Sequence, residues 1–301
     1  ESYPHLLGKQ QLFEHFHEKK YDVQLEKYVH ELQQRPDLLI NKKYIYALEF
    51  QCSTIPIELI EKRTNGYKQL GIIPVWLPKT PTVSIHPGKI LKSSFNMFYQ
   101  QFMNGHTVTT YDPFKQQFVY FCHCVYLHGN LFLSEVRILP LASQVFPFYR
   151  PRPLCEKQFQ MMFNQYSDYR KKYLHGRLFY SRKGVNDLFL RAIYELRLQR
   201  GDLPVYVGVP VRHAKAIPLF SVEWQLLLFY FMSCHGLSIN SLNESTKHYF
   251  LSWSNLPTTT QAFLAIDEYI KILRMLSIES LSAVCSEEQL IRLLYSEIVA
   301  I

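Results

Sequence analysis

Apolar positions along the first eighty residues change period several times, and each change marks an element. From His5 to Lys19 (HLLGKQQLFEHFHEK), Leu6, Leu12, Phe13 and Phe16 recur near helical spacing, with Lys9, Gln10, Glu14 and Lys19 between them. That pattern predicts an amphipathic helix. Val23 to Val29 alternates, with Val23 and Leu25 on one side and Gln24 and Glu26 on the other, as a half-buried strand does. A second strand is expected at Asp37 to Ile40, after Arg35-Pro36, and a third at Tyr44 to Gln51. The polar turn Asn41-Lys42-Lys43 joins them. Pro36 suits a strand entrance, where no ladder donor is needed. From Ile55 to Leu70 the helical period returns, with Pro56 in the first turn and Gly71 just past the end. Ile72 to Leu77 then reads as a fourth strand. The order α, β, β, β, α, β describes a sheet flanked by helices.

Beyond Pro78 the run PKTPTVSIHP, through Pro87, reads as a linker. Thr107 to Leu139 contains three strand-like runs broken near Asp112-Pro113 and His128-Gly129-Asn130, the pattern of a small antiparallel meander. A second break falls at FPFYRPRP, Phe146 to Pro153. From Cys155 onward the pattern is mostly helical, with helices expected at Lys157 to Leu174, Val185 to Arg200, Val222 to Cys234, Thr259 to Leu276 and Ser286 to Val299. The expected organisation is thus an α/β domain at 1–80, a linker and meander at 81–150, and a helical domain at 151–301.

Composition narrows the class. Of 301 residues, 48% are hydrophobic and 19% charged, which supplies a core and excludes a disordered chain. Six cysteines are scattered without a CxxC pair, which argues against a disulfide framework and for a reducing cytoplasmic setting. The longest apolar stretch, Pro218 to Cys234, contains Glu223 and Gln225 and is too short to span a bilayer, so a buried helix is expected. A net charge of +8 with 21 Tyr and 21 Phe leans toward nucleic acid, because rings stack on bases and cations neutralise phosphates. Solvated basic faces explain the same numbers.

The candidate chemistry lies at the tips of the second and third strands. Asp37 is followed twelve residues later by Glu49-Phe50-Gln51, and residues i and i+2 of a strand share a face. If the two strands form a hairpin about residues 41–43, Asp37 sits beside Glu49. Two hard carboxylates together make a site for Mg²⁺ or Mn²⁺.

These residues resemble the PD-(D/E)xK nuclease superfamily, whose αβββαβ restriction-endonuclease-like core has the order read above. More specifically, Glu1, His5, Gly8 and Lys9, Arg35-Pro36-Asp37, Glu49-Phe50-Gln51-Cys52-Ser53, Arg63-Thr64 with Tyr67, and Pro74-Val75-Trp76 look like the nuclease core of CoiA-like competence proteins. The resemblance implies a metal-dependent DNA nuclease acting in recombination during natural transformation. Asp37 and Glu49 would be metal ligands, completed by Glu1. Gln51 occupies the slot where the superfamily usually has Lys, so the water-orienting role falls to Gln51 or to Lys9, which can supply the missing charge. Arg63 and Tyr67, one turn apart on a helix, would hold the DNA strand. His5 is expected to position a water or a phosphate, and Arg35 to contact DNA or pair with Glu26. Family members carry an amino-terminal cysteine zinc-binding domain, and the resemblance implies a longer protein that includes one.

Two other features bear on partners. Arg150, Arg152, Arg170, Lys171, Lys172, Arg177, Arg182 and Lys183 are interleaved with Tyr149, Tyr166, Tyr169, Tyr173, Phe179 and Tyr180. This mixture suits single-stranded DNA or a recombination intermediate, or else is a solvated helix face whose tyrosines pack inward. Cys122-His123-Cys124 with His128 is read as a strand with one buried side rather than a zinc site. The competing function is a non-catalytic DNA-binding mediator on a degenerate nuclease fold, working with the strand-exchange recombinase RecA. A defence nuclease on the same core is a third reading.

Overall fold

The computed structural model describes the chain except for residues 83–84, 104, 147, 150, 181–185, 199–202 and 299–301. It divides into two compact units, Glu1–Cys124 with Ser134–Pro151, and Val125–Leu133 with Arg152–Ile301.

The first unit opens with α1 (Tyr3–Glu18), β1 (Asp22–Leu25), β2 (Leu38–Asn41), β3 (Ile45–Gln51), α2 (Ile57–Gln69) and β4 (Ile73–Pro78). The sheet order is β1-β2-β3-β4. The first three strands run antiparallel, with Leu38 opposite Leu48, and β4 runs parallel to β3, with Glu49 opposite Trp76. A tight polar turn suffices for the antiparallel step, closed by Lys42 N–H on the Tyr44 carbonyl at 3.1 Å. The parallel step needs a crossover, which α2 provides. The αβββαβ order expected from periodicity is present.

β1 is shorter than its alternation suggests. Glu26 adopts φ +48°, a left-handed backbone that ends the strand, and Val29 forms only an isolated bridge with Gln34. Pro56 precedes α2 as its N-cap, at φ −57° and ψ 143°, instead of sitting within its first turn.

After β4 the Pro/Thr-rich segment is tied down at its start. Lys79 N–H donates to the Gln51 carbonyl at 2.8 Å and Thr80 N–H to the Tyr111 carbonyl at 2.9 Å. β5 (Ile90–Ser94) and α3 (Met97–Gln101) follow, neither expected from the sequence, and Asn96 caps α3 by accepting from Tyr99 N–H. The second sheet has the order β5-β8-β7-β6, with β6 at Val108–Asp112, β7 at Gln117–His128 and β8 at Leu131–Pro140. Cys122 and Cys124 of β7 are both buried, and burial pushes the Cys122 thiol up to about 12. One core joins Leu12 and Phe16 of α1, Leu38, Ile40, Leu48 and Phe50 of the first sheet, and Tyr111, Phe118 and Tyr120 of the second. Each such side chain contributes about 1.5–3 kcal/mol on burial. The α/β segment and the meander therefore share a core within this unit.

The second unit is helical: α4 (Glu156–Tyr180), α5 (Leu188–Glu195), α6 (Ser221–His235), α7 (Glu244–Trp253), α8 (Thr260–Met275) and α9 (Glu287–Ile298). α6 is buried from Ser221 to Met232, and its Gln225 and Glu223 side chains are paired. Gln225 bonds the backbone of Gly208 and Val209, while Glu223 accepts from Tyr173 and from Arg177. Among the described residues no helix is long and apolar enough to cross a membrane.

Candidate metal centre

The site forms at one end of the first sheet. Asp37 lies one residue before the Leu38–Leu48 pair, so the register carries it toward Glu49. Its Oδ2 accepts from Phe50 N–H at 2.8 Å and faces His5 Nε2 at 3.2 Å. The entrance and first turns of α1 bring Glu1, His5 and Lys9 to the same place. This close approach is possible because Gly8 lies against Phe50, where a Cβ would fall 2.2 Å from the ring.

Glu1, His5 and Asp37 each offer a ligand atom, and these atoms all lie within 4.8 Å of one another. Among the described residues no other His, Cys, Asp and Glu group is so placed. His5 Nδ1 lies 3.6 Å from Glu1 Oε2. Lys9, only 4% exposed, reaches Glu1 Oε2 at 2.7 Å and also bonds Glu26 Oε1. The bond to Asp37 holds the His5 imidazole above its ordinary value, and the bond from Lys9 holds Glu1 below the usual carboxylate range. Burial pulls the Lys9 ammonium down, but the Glu1 and Glu26 carboxylates outweigh it and the net displacement is upward.

Glu49, expected as a ligand beside Asp37, is engaged elsewhere. Its Oε1 accepts from Arg63 at 2.5 Å and from the Tyr67 hydroxyl at 2.6 Å. At 2% exposure, burial pushes it up to about 7 against the pull of Arg63 and Tyr67. Of the expected grouping, Asp37 and Glu1 come together with His5, while Glu49 faces Arg63 and Tyr67. Arg63 also donates to the Arg35 carbonyl at 3.2 Å and lies 5.7 Å over the Trp76 ring. The Gln51 amide donates to the Ser53 carbonyl and hydroxyl at 2.8 and 3.2 Å. Arg35 is 60% exposed, with Glu26 at 3.9 Å.

Residues 1–149 match the family model described as "Competence protein CoiA, nuclease-like domain". Over 250 residues, 78% of this chain, the sequence is 30% identical to the Competence protein CoiA of Bacillus subtilis (strain 168). The chain is a CoiA-like protein. It spans 63% of the length of that relative. No solved structure matches. The nuclease-like match in this CoiA-like chain extends over both sheets, beyond the 1–80 segment that carries the motifs.

In the second unit the basic stretch separates by face. Lys171 and Lys172 are exposed. Arg170 turns inward, donating to the Leu203 and Pro204 carbonyls at 3.3 and 3.0 Å, and burial lowers its pKa. Arg170, expected to contact DNA, is thus engaged with backbone carbonyls of its own unit. Arg177 likewise pairs with Asp187 and Glu223 at 2.9 and 2.8 Å. Arg150, Arg182 and Lys183 lie outside the described residues. Sequence reasoning did not assign Glu26 to Lys9. Its signal was an acidic residue at the end of an alternating strand, which looks the same when it faces solvent.

Proposed function

We propose that this CoiA-like chain is a metal-dependent nuclease that hydrolyses DNA phosphodiesters during natural transformation. The observation that carries the reading is the convergence of Glu1, His5 and Asp37 within 4.8 Å, with Lys9 beside them. Two carboxylates and an imidazole fit a small divalent cation, and the nitrogen donor favours Mn²⁺ over Mg²⁺. Such a cation, when bound, withdraws charge from the scissile phosphate and makes water a better nucleophile. Phe50 N–H fixes the Asp37 oxygen for that task. Lys9 brings the positive charge that Gln51 lacks, held beside the cation-binding group by its bond to Glu1. Arg63 and Tyr67 hold Glu49 at the sheet end, and the exposed Arg35 offers a phosphate contact. The substrate class is DNA, single-stranded or a recombination intermediate, with RecA as a protein partner.

Purified protein with Mn²⁺ is expected to cut DNA, and Asp37→Asn to abolish cutting while DNA binding stays nearly intact. Wild-type protein that binds DNA but cuts none at any Mn²⁺ or Mg²⁺ concentration sinks this reading. A second reading, a non-catalytic DNA-binding mediator, is favoured by the engagement of Gln51 with Ser53 and of Glu49 with Arg63. It predicts DNA binding that is indifferent to Mn²⁺ and to Asp37→Asn.

A further inference from the structure

Lys9 is nearly sealed from solvent, so its ammonium must keep a carboxylate partner whatever else the site holds. Two partners are within bonding distance, Glu1 and Glu26. Glu1 is also one of the three residues placed to hold a cation. A cation that takes the Glu1 carboxylate competes with Lys9 for it and is repelled by the Lys9 charge.

Glu26 is built into this contest by its backbone. Its φ of +48° is one that side chains other than glycine adopt rarely, and strained positions of this kind cluster at functional sites. Its N–H donates to the Asp37 carbonyl at 3.0 Å, so the residue is pinned to the same segment that supplies a candidate ligand. From there its carboxylate reaches Lys9 on one oxygen and faces Arg35 at 3.9 Å on the other.

We infer that Glu26 is a positioning residue that holds and neutralises Lys9 when Glu1 is taken by a divalent cation. The inference rests on the metal reading given above. Lys9 exchanges a shared bond between two carboxylates for a bond to Glu26 alone, and no longer blocks Glu1. Without Glu26, the only carboxylate left within bonding distance of Lys9 among the described residues is Glu1, and its charge opposes the cation.

The test is Mn²⁺ binding by titration calorimetry on the full chain, in the absence of DNA. The variants are Glu26→Gln, Lys9→Gln and the double substitution. Glu26→Gln is expected to weaken Mn²⁺ binding by about tenfold, the size of loss typical when a residue supporting a ligand is removed. In the Lys9→Gln background the same change is expected to have no effect. Equal binding by wild type and Glu26→Gln overturns the inference, as does an equal loss in both backgrounds, which would mean that Glu26 acts directly. If Glu26→Gln alone does not fold, Lys9→Gln against the double variant still decides, because both lack the buried cation. Wild-type protein that binds no Mn²⁺ removes the metal reading itself, and the inference with it.

Discussion

Replacing Gly8 by alanine tests the joint on which the site depends. In the interior of α1 this change ordinarily stabilises a helix by about 1 kcal/mol. Here the new Cβ meets Phe50 Cε1 at 2.2 Å, Cδ1 at 2.8 Å and Cζ at 2.9 Å. The ring is 1% exposed, with Tyr111 packed edge-on at 5.6 Å and His5 stacked at 6.0 Å. It has little room to yield. Overpacking a dense core costs about 1–3 kcal/mol, and this overlap belongs at the upper end, so the net effect is a loss of about 2 kcal/mol. Gly176, within α4, is the control: a Cβ there meets nothing within 4 Å, so Gly176→Ala gains about 1 kcal/mol. Denaturant unfolding of both variants reads the difference. Because α1 also carries His5 and Lys9, Gly8→Ala should weaken Mn²⁺ binding as well. A Gly8→Ala protein as stable as the wild type, or two glycines that respond alike, would refute the close approach of α1 to β3.

Three further outcomes follow from the same contacts. Carboxyl NMR should find Glu49 titrating near pH 7. Since its folded-state pKa lies above the unfolded 4.5, its contribution of about 3 kcal/mol is present below pH 4.5 and lost as pH rises through 7; a midpoint below 5 contradicts this. Arg63→Met removes the charge facing Glu49, so that midpoint should move upward. Unfolding measurements should show a loss of about 3 kcal/mol at pH 8 and a smaller one at pH 5, where Glu49 is protonated. Lys171→Gln with Lys172→Gln should lower the salt slope of single-stranded DNA binding by about 0.7 per lysine, whereas Arg170→Met should leave the slope unchanged and lower stability.

Strong local periods were legible in the sequence, and so were the elements they encode. Helices α1 and α2, the strand order and the approach of Asp37 toward Glu49 all follow from alternation, a polar turn and a crossover helix. Where the signal was short or composition misled, the reading stopped: β5 and α3 contain five residues each, in a stretch following Pro/Thr-rich chain. The site divided similarly. Spacing named Asp37 and Glu49, and the family resemblance added Glu1, His5 and Lys9, but neither could say which carboxylate turns to which cation. Glu49 goes to Arg63 because α2 packs over its face of the sheet, and Lys9 reaches Glu26 because one residue leaves β1 with a left-handed backbone. Arg170 and Arg177 looked like phosphate contacts because a basic helix gives no sign of the carbonyls and carboxylates that later segments bring to it.

The most direct measurement is anomalous scattering from crystals of the protein soaked in Mn²⁺. The expected result is one peak within bonding reach of Glu1, His5 and Asp37, with Glu49 still held by Arg63 and Tyr67. A peak between Asp37 and Glu49 with Arg63 displaced, or no peak at this end of the sheet, would contradict the proposed centre.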